Sequence, residues 1–303
     1  FVRFKRQSRQ AAGQNPEPAW DNWEHDTDWL SAYYAGSGFS HYHDFSVGQG
    51  NEKANYYLSL GYDDEDGILI DNQFQRFSLR LNSDFQLAPW LKLGESVLLS
   101  RVTENPIDNF NEGFGGGIPY RSIPIMPIED EENPFGGWGR APGYFQGPNP
   151  VASQMQQHER RIYNRLDGNM YLRATPLEGL TLQARLGYNY LAFNGEAFKE
   201  AFDYGAFANP INSLTYAAAH DQTITANFVA TYERQLGDHY LKAMAGYEAS
   251  QFETTHFNAT ATDFPVEPAR SFNLAAGTFN VTDRRSVFQS RLLSQFGRIN
   301  YNY

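Results

Sequence analysis

Long segments in which apolar and polar side chains alternate constrain the fold of this chain more than any other feature. In residues 73–86, phenylalanines and leucines recur at odd positions, whereas Arg76, Arg80 and Asp84 occupy even ones. A period of two residues is that of a β-strand, whose successive side chains point to opposite faces. With a strand near His41, the same period recurs in residues 56–62, 90–103, 158–175, 180–193, 221–234, 239–255 and 284–303. The chain is therefore predicted to be all-β, with about nine strands.

The connections between these segments are alternately short and long. Several strands run past about ten residues, whereas strands of globular proteins have a mode of about five or six. The short connections are residues 49–53, 87–90, 176–179 and 236–238; the long ones are residues 63–72, 105–156, 194–220 and 256–283. Outer-membrane barrels have tight periplasmic turns and long extracellular loops, which a soluble sandwich does not. The pattern therefore favours a transmembrane antiparallel β-barrel wall over residues 41–303.

The two ends of the chain differ from this wall. Residues 1–40 lack clean alternation, and we expect an extracellular segment with a short helix near residues 27–34, capped by Asp26 or Thr27. The last segment is still alternating where the sequence stops, which predicts an unpartnered strand edge. Bacterial single-chain barrels have even strand numbers, so an odd count predicts a partial barrel, about nine strands of a larger one.

Composition excludes several classes of protein. The net charge of −11 argues against a nucleic-acid partner, because phosphate binding depends on an excess of Lys and Arg. No apolar run approaches the 18 residues that a helical membrane span needs. Aromatic residues reach 16%, which suits the aromatic girdles of a membrane barrel. The absence of cysteine rules out disulfides and thiolate metal sites within these 303 residues.

Four stretches of the sequence resemble one family of barrel proteins. They are "TDWLSAYY" (residues 27–34), "HDFSVGQGNEKANYYLSLGYDDEDGIL" (43–69), "FQRFSLRLNSDFQLAPWLKLGESV" (74–97) and "SQFGRINYNY" (294–303). Their order and spacing resemble the barrel wall of SusC/RagA-type TonB-dependent transporters. Gln49 departs from that pattern, because the family more often has a small residue there.

The resemblance implies an outer-membrane importer of Bacteroidota. Such a protein takes up oligosaccharides or oligopeptides with a SusD-like surface lipoprotein and is energised by TonB. It also implies a dimer of transporter–lipoprotein pairs surrounded by outer-membrane lipid. The plug domain and TonB box that couple the family to TonB are not found in this sequence. We expect no enzymatic activity and no cofactor.

The residue pattern also indicates where contacts with a substrate would lie. The longest loop, residues 105–156, places aromatic side chains among glycines and prolines, a composition suited to sugar rings or peptide side chains. We expect contact with substrate or lid from Phe135, Trp138, Arg140, Tyr144 and Phe145, although these aromatics could instead pack the loop onto itself. Charged residues on the polar parity of the strands are expected to line the lumen: Arg76, Arg80, Arg161, Arg165, Asp167 and Arg185.

Motifs for catalysis or metal binding are weak. No nucleophile elbow, HExxH motif or phosphate-binding loop is present. The acidic runs at residues 63–67 and 129–133 suit a solvated hairpin tip better than a calcium site, and His41 and His43 lack a third ligand at obvious spacing. We therefore predict no metal site. Two rival functions stay open: a secreted soluble β-rich glycan-binding protein, and a passive porin-type channel.

Overall fold

The computed structural model describes residues 2–15, 24–34, 36–107, 118–141, 147–205, 207–264 and 279–303. Within these ranges the chain forms eleven strands and four helices. The strands are β1 (Ser40–Gly50), β2 (Ala54–Asp66), β3 (Gln73–Ala88), β4 (Leu91–Asn105), β5 (Gln157–Leu177), β6 (Leu180–Lys199), β7 (Phe202–Asp203), β8 (Ala208–Asn209), β9 (Ser213–Leu236), β10 (His239–Thr262) and β11 (Phe279–Asn302). The helices are α1 (Val2–Ala11), α2 (Trp29–Tyr33), α3 (Ile118–Arg121) and α4 (Pro150–Met155).

Nine of these strands form one antiparallel sheet in the order β1-β2-β3-β4-β5-β6-β9-β10-β11. Each strand pairs with the previous long strand of the chain, and the pair β7–β8 forms a small separate sheet in the connection between β6 and β9. The sheet is thus an up-and-down wall of about nine strands, as the sequence predicts. None of the helices in the described ranges is long and apolar enough to cross a membrane.

The register gives the sheet two chemically different faces. Leu60 lies opposite Leu79, Leu79 opposite Leu99, and Leu99 opposite Leu166; we call the side that carries these leucines the apolar face. The intervening residues, such as Ser59 opposite Arg80, lie on the polar face. The side chains of the apolar face are open, with Leu60 49% and Phe77 58% exposed. A sheet face that is both apolar and uncovered suits contact with lipid better than contact with water.

Several strands extend beyond the loop boundaries predicted from the sequence. The loop predicted to begin at residue 63 begins after Asp66, because Asp63 lies opposite Arg76 and forms an ion pair with its Nε at 2.7 Å. The predicted loop 194–220 is likewise shortened, since β6 continues to Lys199 and β9 begins at Ser213. The predicted loop 256–283 is shortened in the same way, because β10 continues to Thr262 and β11 begins at Phe279. Continuous pairing of backbone groups with neighbouring strands extends these segments even where side-chain alternation is weak.

The buried core of the described residues lies mainly outside the sheet. It joins the N-terminal segment to the long loop between β4 and β5, and we call α1, α2 and residues 118–141 and 147–156 together the loop module. Its buried members are Val2, Trp29, Ile123, Ile125, Met126, Ala141 and Val151. Trp29 is fixed in place because its Nε1 donates a hydrogen bond to the carbonyl of Ile123 at 2.8 Å.

The short helix near residue 30 is present, but its cap differs from the prediction. Asp28, rather than Asp26 or Thr27, caps α2 and accepts hydrogen bonds from the backbone nitrogens of Leu30 and Ser31, both at 3.1 Å. Thr27 instead donates its hydroxyl to the carbonyl of Met126 at 2.7 Å. This tertiary contact spans 99 residues and has no local sequence signal. Helix α1 was also missing from the prediction.

Candidate transport site

The six charged residues predicted to line the lumen all lie on the polar face. Arg76 and Arg80 are on β3, and the register places Arg161, Arg165 and Asp167 of β5 and Arg185 of β6 on the same side. The alternation of polar and apolar residues in the sequence is sufficient to predict this placement. A register slip of one residue would move every side chain of a strand to the other face.

Acidic partners neutralise several of these arginines. Arg76 pairs with Asp63, and Arg165 pairs with Asp167, which also accepts a hydrogen bond from Asn189 Nδ2 at 2.6 Å. Arg161 Nε lies 2.6 Å from Glu159 Oε1, and its Nη1 lies 3.8 Å from Glu104 Oε1.

Arg80 and Arg185 differ from the other arginines of this face. Both are exposed, and neither makes an ion pair with any residue that the structure describes. Their guanidinium groups can therefore donate hydrogen bonds to another protein segment or to a polar solute.

A second polar cluster, which the sequence does not reveal, lies near the short-turn end of the same face. Lys92 Nζ is 3.2 Å from Asp84 Oδ2, the Tyr171 hydroxyl donates to Asp84, and the Arg173 guanidinium lies 5.3 Å from the centre of the Tyr171 ring. Gly94 makes this packing possible, because a Cβ there would lie 2.3 Å from Tyr171 Cε1. These residues come from three strands, and only the pairing between strands brings them together.

The predicted contact residues of the long loop are engaged within the loop module. Trp138 packs against its hydrophobic core, and Arg140 Nη2 forms an ion pair with Asp130 Oδ2 at 2.8 Å. Phe135 is partly buried, and its carbonyl accepts a hydrogen bond from Gln156 Nε2 at 3.2 Å. Tyr144 and Phe145 lie outside the described residues. For Trp138, this arrangement matches the alternative in which an aromatic packs the loop onto itself.

Buried polar side chains hold the loop module in one shape, and the sequence predicts them only weakly. Asn149 Nδ2 donates to the carbonyl of Ile128 at 2.8 Å, and its Oδ1 caps α4. Asn133 Nδ2 donates to the carbonyl of Asp203 at 2.8 Å, and the Tyr204 hydroxyl donates to Gln156 Oε1 at 2.8 Å. Buried polar groups that are fully hydrogen-bonded specify a unique conformation. The only local signal is the Asn-Pro dipeptide at residues 133–134 and 149–150, a turn marker.

Hydrogen bonds shift the pKa of one carboxyl group of the module. The Ser31 hydroxyl and backbone nitrogen donate to the Asp28 carboxylate and lower the pKa of that carboxyl below its usual value. No three His, Asp or Glu side chains of the described ranges are close enough together to hold one metal ion. His41 and His43 have ring centres 5.3 Å apart.

Comparison with known proteins identifies relatives of this wall. No protein-family model matches the chain. Among curated proteins, it is 24% identical to TonB-dependent receptor P3 of Formosa agariphila over 297 residues, which cover 91% of this chain and 28% of that protein. It is 22% identical to TonB-dependent receptor SusC of Bacteroides thetaiotaomicron, again over 91% of this chain and 28% of that protein. The chain thus spans less than a third of the length of these relatives.

Among solved structures, the RagAB peptide transporter superposes with a TM-score of 0.72 at 21% identity, covering 92% of this chain and 32% of that chain. The predicted resemblance to SusC/RagA-type TonB-dependent transporters is confirmed. The ferric citrate transporter FecA matches less well, with a TM-score of 0.51 at 9% identity. The fold is all-β, and its nine-stranded sheet is similar to the barrel region of these transporters. The relatives are named as receptors and transporters, not as enzymes.

Proposed function

We propose that this chain is part of the wall of a bacterial outer-membrane importer of the SusC type, which moves its substrate without covalent chemistry. The division of one sheet into an exposed apolar face and a charged polar face supports this most directly. In a closed barrel, the first face contacts lipid and the second lines a wet lumen. Burying an unpaired arginine such as Arg80 against lipid would cost about 2–4 kcal/mol near the midplane, which favours this orientation.

The partners proposed for the whole protein are a SusD-like surface lipoprotein and TonB, the latter acting through a region outside these 303 residues. A dimer of transporter–lipoprotein pairs is part of the same proposal. The similarity of the chain to TonB-dependent receptor SusC and to the RagAB peptide transporter supports the two partners. The loop module is the surface that we assign to the lipoprotein, because a rigid, internally hydrogen-bonded loop can present a fixed shape to a partner.

The proposed substrate is an oligosaccharide or an oligopeptide. We assign contact with substrate or lid to Phe135, Trp138, Arg140, Tyr144 and Phe145. Trp138 and Arg140 also hold the loop in shape, since their side chains pack on the module core and on Asp130 and are still partly exposed. The exposed cations Arg80 and Arg185 would offer hydrogen-bond donors to a polar solute further along the lumen.

The test uses the full-length protein in its native host. After membrane fractionation and mild detergent extraction, mass spectrometry should identify a surface lipoprotein and a bound oligosaccharide or oligopeptide in the purified complex. A protein that stays monomeric and soluble in plain buffer would support the secreted glycan-binding alternative and contradict the barrel proposal. A full-length protein without a plug domain would support the passive channel instead.

A further inference from the structure

A groove of about 770 Å³ crosses the apolar face from β1 to β6. It runs between two neighbouring rows of side chains. One row consists of Phe45, four leucines and Tyr190, and the other includes Tyr62, Phe77, Arg101 and Asn164. Five strand spacings of about 4.8 Å make the groove roughly 24 Å long. A narrow apolar groove of this length suits an extended hydrocarbon chain.

Arg101 is the charged side chain that interrupts this groove on the apolar face; Asp44 and Arg165, which also border it, belong to the polar face. Arg101 lies on the apolar face, directly opposite Phe77 on one side and Asn164 on the other. It is exposed, and it makes no hydrogen bond or ion pair with any residue in the described ranges. By contrast, Arg76 and Arg165 on the polar face each have a carboxylate partner. A cation on a lipid-facing surface is unfavourable unless an anion accompanies it.

Arg101 also lies at a chemical boundary of the apolar face. Along β4 this face changes from Val97 and Leu99 to Arg101 and Thr103, and β5 changes from Leu166 to Asn164 at the same register. In a barrel whose apolar band spans the hydrocarbon core, the edge of that band, and with it the guanidinium group, lies at the depth of lipid headgroups. Phospholipid headgroups carry a phosphate at that depth, and guanidinium binds phosphate with two parallel hydrogen bonds.

We propose that the groove is a binding site for one phosphate-bearing lipid. Arg101 and Asn164 hold the phosphate, and an acyl chain lies along Leu60, Leu79 and Leu99. His43 lines the far end of the groove, three strands or about 14 Å from Arg101, so it does not contact the same phosphate. The proposed lipid site depends on the barrel fold and not on import. The lipid site can therefore be rejected while the proposed import function stands, and the reverse is also true.

The experiment measures lipid retention by the full-length protein, purified and delipidated in detergent. Native mass spectrometry follows binding of dipalmitoyl phosphatidic acid, with dipalmitoylglycerol as the same lipid without phosphate. The Arg101→Gln variant should bind phosphatidic acid at least tenfold more weakly than the wild-type protein. The Arg101→Lys variant should lose less affinity, because it keeps the positive charge. Leu79→Trp should also weaken binding, because it fills the groove and leaves Arg101 in place. Heat-modifiable mobility on gels confirms that each barrel has folded.

The matched control is Arg291→Gln. Arg291 is a second exposed arginine on the apolar face, on β11 and outside the groove. The proposal expects wild-type binding in this variant and tenfold discrimination against dipalmitoylglycerol by the wild-type protein. Equal binding of the two lipids, unchanged binding by Arg101→Gln, or full displacement by inorganic phosphate would overturn it.

Discussion

Ser59 and Leu60 are consecutive in β2, yet their side chains serve opposite faces of the sheet. Ser59 Oγ donates a hydrogen bond to Asp44 Oδ2 at 3.2 Å on the polar face. Leu60 lies on the apolar face, opposite Leu79. Two adjacent positions therefore face the two environments that a barrel wall separates.

Arginine substitutions at these two positions should have very different effects. Leu60→Arg places a cation in the lipid-facing band and should destabilise the assembled barrel by an amount between the about 0–1 kcal/mol of the interfaces and the about 2–4 kcal/mol of the midplane. Ser59→Arg places the same group on the polar face, where Asp44 can pair with it. The folded, heat-modifiable fraction of the full-length protein in outer membranes measures both effects. Equal tolerance of both variants would reverse the assignment of the faces.

Trp29 should be the anchor of the loop module. Its side chain is 3% exposed, and Trp→Ala changes at buried sites cost about 3–5 kcal/mol. Trp29→Phe should cost less, about 1–3 kcal/mol, because it mainly leaves the Ile123 carbonyl without its donor. Hydrogen–deuterium exchange of residues 118–128 should rise in both variants while the strands stay protected. Leu30→Ala, at the next and more exposed position, is the control and should leave that exchange unchanged.

The hydrogen bond between Tyr204 and Gln156 should tie the connection between β6 and β9 to the long loop. Tyr204→Phe removes the hydroxyl that donates to Gln156 and leaves a buried amide oxygen unsatisfied, a loss of about 1–3 kcal/mol. Limited proteolysis should then cut residues 147–156 faster than in the wild-type protein. Tyr42→Phe removes a hydroxyl from an exposed ring on β1 and should not change the cleavage rate. Identical rates in all three proteins would contradict the role of this contact.

The cap of α2 should depend on pH. Because the pKa of Asp28 is lowered in the folded protein, its contribution to stability is present above the unfolded pKa and lost as pH falls through the folded value. Exchange of residues 28–34, corrected for the intrinsic pH dependence of amide exchange, should therefore increase as the pH falls below 3.8, the usual pKa of an aspartate. Asp28→Asn keeps a capping oxygen that does not titrate, so this increase should disappear. An increase of the same size in the variant would assign it to another group.

The sheet was far easier to predict from the sequence than the loop module. Strand parity depends on neighbours two residues apart, so the positions of Arg76 and Leu79 on opposite faces follow from the sequence alone. The strand ends were less predictable, because segments such as residues 213–220 are held by pairing with β6 and β10 rather than by alternation. The contact between Trp29 and Ile123 joins residues 94 apart, and no local pattern encodes such a pairing.

The loop residues illustrate the same difference. Aromatic side chains among glycines and prolines suggested an exposed binding surface, but Trp138 packs against the core of its own loop. Asn133 and Asn149 are buried and donate hydrogen bonds to backbone carbonyls, but asparagine is common in turns, so the sequence does not single them out. The composition of a loop shows which kinds of contact its side chains can make. Only the tertiary packing determines which of those side chains make contacts within the protein.

Energy-dependent uptake tests the central claim most directly. Cells that carry the full-length gene should take up the oligosaccharide or oligopeptide that co-purifies with the protein. Deletion of the gene, deletion of TonB, or a protonophore should each abolish that uptake. Complementation with the intact gene should restore it. Uptake that persists at the wild-type rate without TonB would contradict the assignment as a TonB-dependent importer.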